Sequence, residues 1–260
     1  MAMQLDGPRV APAGGGRADA LVILLHGLGA DGADLIDLAP YLADTLPGAA
    51  FVAPNAPQPC DMAPYGYQWF SLQDRHPDRV AAGVRAAAPV LDAFIDAELA
   101  AHGLADDRLA LLGFSQGCMM ALHVGLRRPR ACAAILGYSG RLVASDALAG
   151  EIVSRPPVLL CHGTADPVVP FDSLAAAQAA LAGAGVDVTT VQRRASATVS
   201  TSRRSPQGWR CSAARWAEMT VRHGGGCVTD RLQHIVFVRK ILPVTTTYTS
   251  IASRIAVRIY

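Results

Sequence analysis

Short, continuously apolar runs alternate with segments of helical periodicity along most of this chain, and no other feature restricts its fold as much. The runs fall at 21–25, 50–53, 109–113, 133–138, 158–161 and 186–191, each bounded by turn residues. A strand with one wet face alternates apolar and polar residues. A strand apolar throughout is covered on both faces, as parallel strands layered between helices are. Between the runs, Leu35, Leu38, Leu42 and Leu46 recur at helical spacing, and so do Val80, Val84, Ala87, Leu91, Phe94 and Ile95. Pro89 interrupts the second pattern, which predicts a kink or two helices there. Further helices are expected over 116–127 and 173–182. This grammar predicts an α/β fold with a mostly parallel central sheet and helices on both faces.

Three motifs sit at the ends of predicted strands. Gly113-Phe114-Ser115-Gln116-Gly117 follows the run 109–113 and opens a helical pattern, the context a G-x-S-x-G nucleophile elbow requires. A sharp strand-to-helix turn would hold Ser115 above the sheet at the positive end of the helix. Flanking glycines would let strand and helix approach closely. His26-Gly27-Leu28-Gly29-Ala30-Asp31-Gly32 follows the run 21–25. A glycine-rich loop there can turn backbone N–H groups toward a reacting carbonyl, so the amides of Leu28 and Gln116 are candidates for an oxyanion hole. One such donor is worth ~10²–10³ in rate. His26 itself reads as a structural loop histidine. His162-Gly163-Thr164-Ala165-Asp166-Pro167-Val168-Val169-Pro170 follows the run 158–161. Asp166 is placed to orient a histidine, against the plainer reading of an Asp-Pro turn residue; His162 reads as a loop residue.

Together these motifs resemble the carboxylesterase/phospholipase/acyl-protein thioesterase family of α/β-hydrolases, which shows H-G-L-G-x-D, G-F-S-Q-G and H-G-x-x-D-x-x-V-P in this order. The segments Phe51-Val52-Ala53-Pro54-Asn55-Ala56-Pro57 and Gly66-Tyr67-Gln68-Trp69-Phe70 are also similar to family loops beside the acyl pocket. The resemblance covers roughly residues 20–191. It implies an α/β-hydrolase fold, Ser115 as nucleophile, Asp166 as triad acid, and Trp69 and Phe70 beside the substrate. It further implies hydrolysis of carboxylic esters or thioesters through an acyl-enzyme, with no metal and no organic cofactor. An exposed apolar groove near Trp69 and Phe70 would indicate long acyl chains.

The base is missing from this pattern. In such hydrolases the order is Ser, acid, His. His26, His76, His102, His123 and His162 all precede Asp166, and only His223 and His234 follow it. The family's G-H-G-I-D lies about thirty residues past the acid, where this chain has Arg193-Arg194-Ala195-Ser196-Ala197-Thr198-Val199-Ser200-Thr201-Ser202. Codons begun at the third base of Arg193 can spell Pro-Gly-Leu-Gly-His-Gly-Ile-Asp-Leu-Glu-Ala-Leu, the His codon straddling Ala197 and Thr198. Third bases are mostly free but the other two are fixed, so chance agreement over this stretch is improbable. We read this as a reading-frame shift near Gln192, in the gene or in its sequencing.

Charge tells the same story. Residues 1–192 carry 11 arginines against 19 acidic residues, a net of −8, whereas 193–260 carry 12 basic against 2 acidic residues, a net of +10. The mild overall +2 is the sum of two unlike pieces. Lys240 is the single lysine, as expected of GC-rich codons rather than of a selected surface. The expected organisation is therefore a hydrolase domain over 1–192 and an aberrant basic tail over 193–260. His223, in Arg222-His223-Gly224-Gly225-Gly226, is the remaining substitute base, against the plainer reading of a solvated loop histidine.

No apolar run reaches the eighteen or so residues of a membrane span, and the N-terminal twenty residues lack a signal-peptide core. The six cysteines form no C-x-x-C pair, and Cys118, Cys132 and Cys161 sit in apolar stretches as expected of buried free thiols. The expectation is a cytoplasmic enzyme acting on a small-molecule ester or thioester. Neither a nucleic-acid partner nor an integral membrane segment is expected, and a homodimer is allowed. Two rivals remain. One is a peptidase or a dienelactone-type hydrolase; the latter uses a cysteine nucleophile, and Ser115 argues against it. A catalytically inactive binding protein could use the basic tail to contact anions or nucleic acid.

Overall fold

Six parallel strands form the centre; five of them are buried almost throughout, as residues that can bury both faces allow, and the sixth, at 188–193, buries only Val191. In a computed structural model, which describes residues 5–193, the strands are β1 (Arg9–Val10), β2 (Ala20–Leu25), β3 (Ala49–Val52), β4 (Gln58–Pro59), β5 (Tyr67–Gln68), β6 (Leu109–Phe114), β7 (Ala134–Tyr138), β8 (Val158–Gly163) and β9 (Val188–Arg193). The helices are α1 (Gly32–Ile36), α2 (Ala39–Ala43), α3 (Pro77–His102), α4 (Gln116–Gly125), α5 (Leu148–Glu151) and α6 (Asp172–Gly183). The main sheet has the order β1-β3-β2-β6-β7-β8-β9, with β1 antiparallel on β3 and every other pairing parallel. β4 and β5 form a separate antiparallel hairpin that sequence periodicity did not signal.

The pleat distributes each apolar run between two cores. Leu21, Ile23 and Leu25 join Val84, Leu91 and Ile95 of α3, Met120 of α4 and Leu181 of α6 on one face. Val22 and Leu24 join Leu35, Leu38 and Ala39 on the other. The fold is that of an α/β-hydrolase: a mostly parallel sheet with helices on both faces. Among the described residues, no helix is long and apolar enough to cross a membrane.

Two helical expectations change in detail. The Leu35–Leu38–Leu42–Leu46 periodicity marks a real inward face, but it is broken between two short helices, with Leu35 in α1, Leu38 capping α2, Leu42 inside α2 and Leu46 beyond it. Pro40 lies in the first turn of α2 and has no N–H to continue α1. Pro89, by contrast, does not divide the 26-residue α3. It lies on the exposed side, where water can satisfy the carbonyl that its missing N–H leaves without a partner. The helix stops at Gly103, whose φ of 65° is the left-handed closure, with Leu104 N–H returning to the Leu99 carbonyl at 2.9 Å. The tail expectations beyond Arg193, including His223 and His234, lie outside the described residues.

Candidate active site

All six parallel strands end at one edge of the sheet, where ligands of open α/β folds bind. Ser115, the 26–30 loop and Asp166 each follow a strand there. Ser115 stands between β6 and α4 with φ 51° and ψ −112°, a conformation that side chains other than glycine rarely adopt. Such strain costs of order 1–3 kcal/mol and persists only where neighbours hold it. Here the Ser115 N–H donates to the Tyr138 carbonyl at 2.8 Å, and the Ser115 carbonyl accepts from Cys118 N–H at 3.1 Å. The two motif glycines make the turn possible. A Cβ on Gly113 would lie 2.3 Å from the Gly117 carbonyl oxygen, and one on Gly117 would lie 2.0 Å from that of Leu25.

The 26–30 loop is fixed against this elbow. A Cβ on Gly27 would be 3.3 Å from Ser115 Cβ, so the two segments touch. His26 is fully buried; its Nε2 accepts the Ala56 N–H at 2.9 Å, which leaves Nδ1–H to donate to the Gly27 carbonyl at 2.7 Å. Both ring nitrogens are thus committed to loop backbone, and burial holds its pKa below the ordinary histidine value. The structural reading of His26 stands. Gly29 N–H donates to the Tyr67 carbonyl at 2.9 Å and Tyr67 N–H to that of Ala30 at 2.8 Å, so the β4–β5 hairpin clamps the loop. The Leu28 N–H has no backbone acceptor among the described residues. Gln116 opens α4, so its N–H has none inside the helix.

Trp69 and Phe70 lie in the core at 1% and 3% exposure, not along an open groove. The buried Gln116 side chain holds them: its Oε1 accepts the Trp69 N–H at 2.9 Å and its Nε2 donates to the Phe70 carbonyl at 2.7 Å. Trp69 Nε1–H in turn donates to the His26 carbonyl at 3.0 Å. Sequence reasoning valued Gln116 for its amide alone. Its side chain ties the elbow to the hairpin exit and, through Trp69, to the 26–30 loop, and only the tertiary structure shows this.

Asp166 sits three residues past β8, two strands from Ser115 or about 10 Å across the sheet. Its Oδ1 accepts the Val168 and Val169 N–H groups at 2.8 and 3.0 Å, which fixes the carboxylate while leaving Oδ2 uncommitted to backbone. His162 belongs to the end of β8, not to a loop. It is buried, its Nε2–H donates to the Val169 carbonyl at 3.0 Å, and Asp166 Oδ2 lies 3.5 Å from the same nitrogen. Gly140, which sequence reasoning passed over, closes the elbow from the β7 side; a Cβ there would be 2.9 Å from the Ser115 carbonyl oxygen. Cys118, Cys132 and Cys161 are buried and in no disulfide among the described residues, and burial pushes the pKa of the first two up to about 12.

A left-handed serine between a parallel strand and a helix, facing a clamped glycine loop, places this site in the α/β-hydrolase class. Residues 7–203 match the Phospholipase/Carboxylesterase family, and the chain belongs to it. Acyl-protein thioesterase 1 of Schizosaccharomyces pombe is 35% identical over 163 residues, spanning 58% of this chain and 70% of that protein. Esterase YpfH of Escherichia coli is 31% identical over 172 residues, 66% of this chain and 72% of the relative. Among solved structures, esterase PE8 is 44% identical with a TM-score of 0.71, covering 74% of this chain and 90% of its own. SOBER1 of Arabidopsis thaliana is 25% identical with a TM-score of 0.60, covering 68% and 89%. By family the chain is a carboxylic ester hydrolase.

Proposed function

We propose that this is a cytoplasmic serine hydrolase of carboxylic esters or thioesters that works through an acyl-enzyme, and that the chain as written has lost its base to a frame shift. The observation that carries the reading is the backbone of Ser115, left-handed at a strand-to-helix turn. Ser115 Oγ attacks the acyl carbonyl carbon. The Leu28 and Gln116 amides donate to the oxyanion that forms. The base takes the Ser115 proton and passes it to the departing alcohol or thiol. Water then repeats the sequence on the acyl-enzyme. Asp166 orients and stabilises the protonated base. Trp69 and Phe70 form the packed wall behind the oxyanion loop.

The register of β8 and β9 supports this account of the base. Gly163 pairs with Arg193, and Thr164 N–H donates to the Arg193 carbonyl at 2.8 Å. Asp166 is three residues past Gly163, and the shifted-frame His codon is four to five past Arg193. In the frame-restored chain two neighbouring parallel strands would therefore bring acid and base to the same edge within a few residues, well inside the reach of ~3.3–3.6 Å per residue. Without that His, loss of turnover of ~10⁶ is the scale set by other serine hydrolases. Fluorophosphonate labelling of the frame-restored chain tests the nucleophile. Labelling abolished by Ser115→Ala supports the reading, and labelling that persists in the variant contradicts it.

A further inference from the structure

A cavity of about 290 Å³ lies between the first turns of α3 and the 141–147 segment that follows β7. Its floor is apolar, from the buried Val80, Ala81 and Val143. Its charged lining is Asp78, Asp146, Arg85 and Arg141. Asp78, with its side chain 91% exposed and its carboxylate beside His76, Asp146 and Arg85 are all exposed, and only Arg141 is drawn in from solvent. Arg85 gives one donor to Glu151 at 2.8 Å and keeps the rest of its fork. Arg141 is half-buried and has no partner among the described residues. A half-buried guanidinium without an acceptor is costly to hold, and its planar fork suits a carboxylate or phosphate.

The cavity is joined to the elbow through the backbone. Gly140, immediately before Arg141, is the residue packed on the Ser115 carbonyl. Arg141 also lines the small space beside Cys118 and His162. Two residues along this stretch are strained, Ser139 just before the segment with φ of 46° and Ala144 within it with φ of 52°. Residues kept in such conformations cluster at ligand clamps.

We propose that this cavity binds an amphiphilic anion, with Arg141 gripping a carboxylate or phosphate head and Val80, Ala81 and Val143 receiving the apolar body. That the anion is part of the ester substrate rests on the hydrolase reading above; that the cavity binds it does not. The head is read by charge-assisted, bidentate donation, and Arg85 adds long-range attraction.

The test uses the full chain as written and needs no turnover. The probes are 4-phenylbutyrate and phenyl phosphate, with benzyl alcohol as the uncharged control, followed by the NMR resonance of the Arg141 Nε–H. A saturable shift with either anion, at least about tenfold tighter than with benzyl alcohol, supports the proposal. The tighter anion identifies the head-group chemistry. Isothermal titration should show binding weakened about tenfold or more in Arg141→Gln, weakened less in Arg141→Lys, and unchanged in Arg130→Gln. No saturable shift in the native chain, or equal affinity in Arg141→Gln, overturns it. Fluorophosphonate labelling of Ser115 would be untouched by either result, so failure here is distinct from failure of the hydrolase reading.

Discussion

Gly117→Ala is the substitution in which local and tertiary effects disagree most sharply. Inside a helix, alanine normally gains about 0.5–1 kcal/mol over glycine because it loses less chain freedom on folding. Gly117 is in the first turn of α4, so helix propensity alone predicts stabilisation. The structure reverses the sign. A Cβ there would lie 2.0 Å from the Leu25 carbonyl oxygen and 2.7 Å from that of His26. Both obstacles are backbone, so no rotamer change relieves them, and β2 must move from α4 by about an ångström. Overpacking of this kind costs roughly 1–3 kcal/mol or more, which outweighs the propensity gain. Gly150→Ala in α5 is the matched control, because a Cβ there meets nothing within 4 Å. Urea unfolding should show the Gly117→Ala midpoint lowered by about 1 M and the Gly150→Ala midpoint unchanged or slightly raised. Because Leu25 and His26 lead into Leu28, the frame-restored Gly117→Ala should also lose activity. Equal or greater stability of Gly117→Ala would refute the close strand–helix approach on which the elbow depends.

Three further outcomes follow from buried polar groups. His123 is held at about 4, first by burial and then by Arg127, and its Nδ1 has no hydrogen-bond partner among the described residues. Its depressed value means the folded state favours neutral imidazole. The stability it contributes is complete above about 6.5 and is lost as pH falls toward 4, up to about 3 kcal/mol. His123→Leu should flatten that part of the urea-stability curve, and an unchanged slope would count against it. Arg128 is buried, with Asp92, Asp106 and Asp96 at 2.5, 2.5 and 2.7 Å. Arg128→Met leaves these carboxylates facing one another at a cost of about 3 kcal/mol, moderated by the exposure of Asp92 and Asp96. The deficit should shrink in acid as they protonate. Gln116→Leu strands the Trp69 N–H and Phe70 carbonyl and should cost about 2–4 kcal/mol in urea unfolding, with loss of activity in the frame-restored chain.

Much of the fold was legible because its inner parallel strands are buried on both faces, and a run such as 21–25 has few other uses. Boundaries moved where a local rule met a tertiary one. Pro89 is tolerated because it faces water, while Pro40, in the first turn of α2, ends a pattern that its neighbouring leucines continue. Residues 186–191 read as a strand, but the chain turns at Gly185, φ 77°, and pairing begins at Val188. At the site, Ser115 and the glycines around it were visible because the turn demands them. The work of the Gln116 side chain, Gly140 and the β4–β5 hairpin was not, because each acts on residues distant in sequence. Trp69 and Phe70 were noticed for the right segment, but apolar residues do not announce whether they line a groove or fill a core.

The central claim is that a hydrolase body built around Ser115 has been separated from its base by a change of frame near codon 192. Hydrolysis of p-nitrophenyl butyrate by the chain as written, side by side with the frame-restored chain, tests it most directly. A rate in the restored chain at least about 10³-fold higher, approaching the ~10⁶ of base removal, is the predicted result. Equal rates would contradict it.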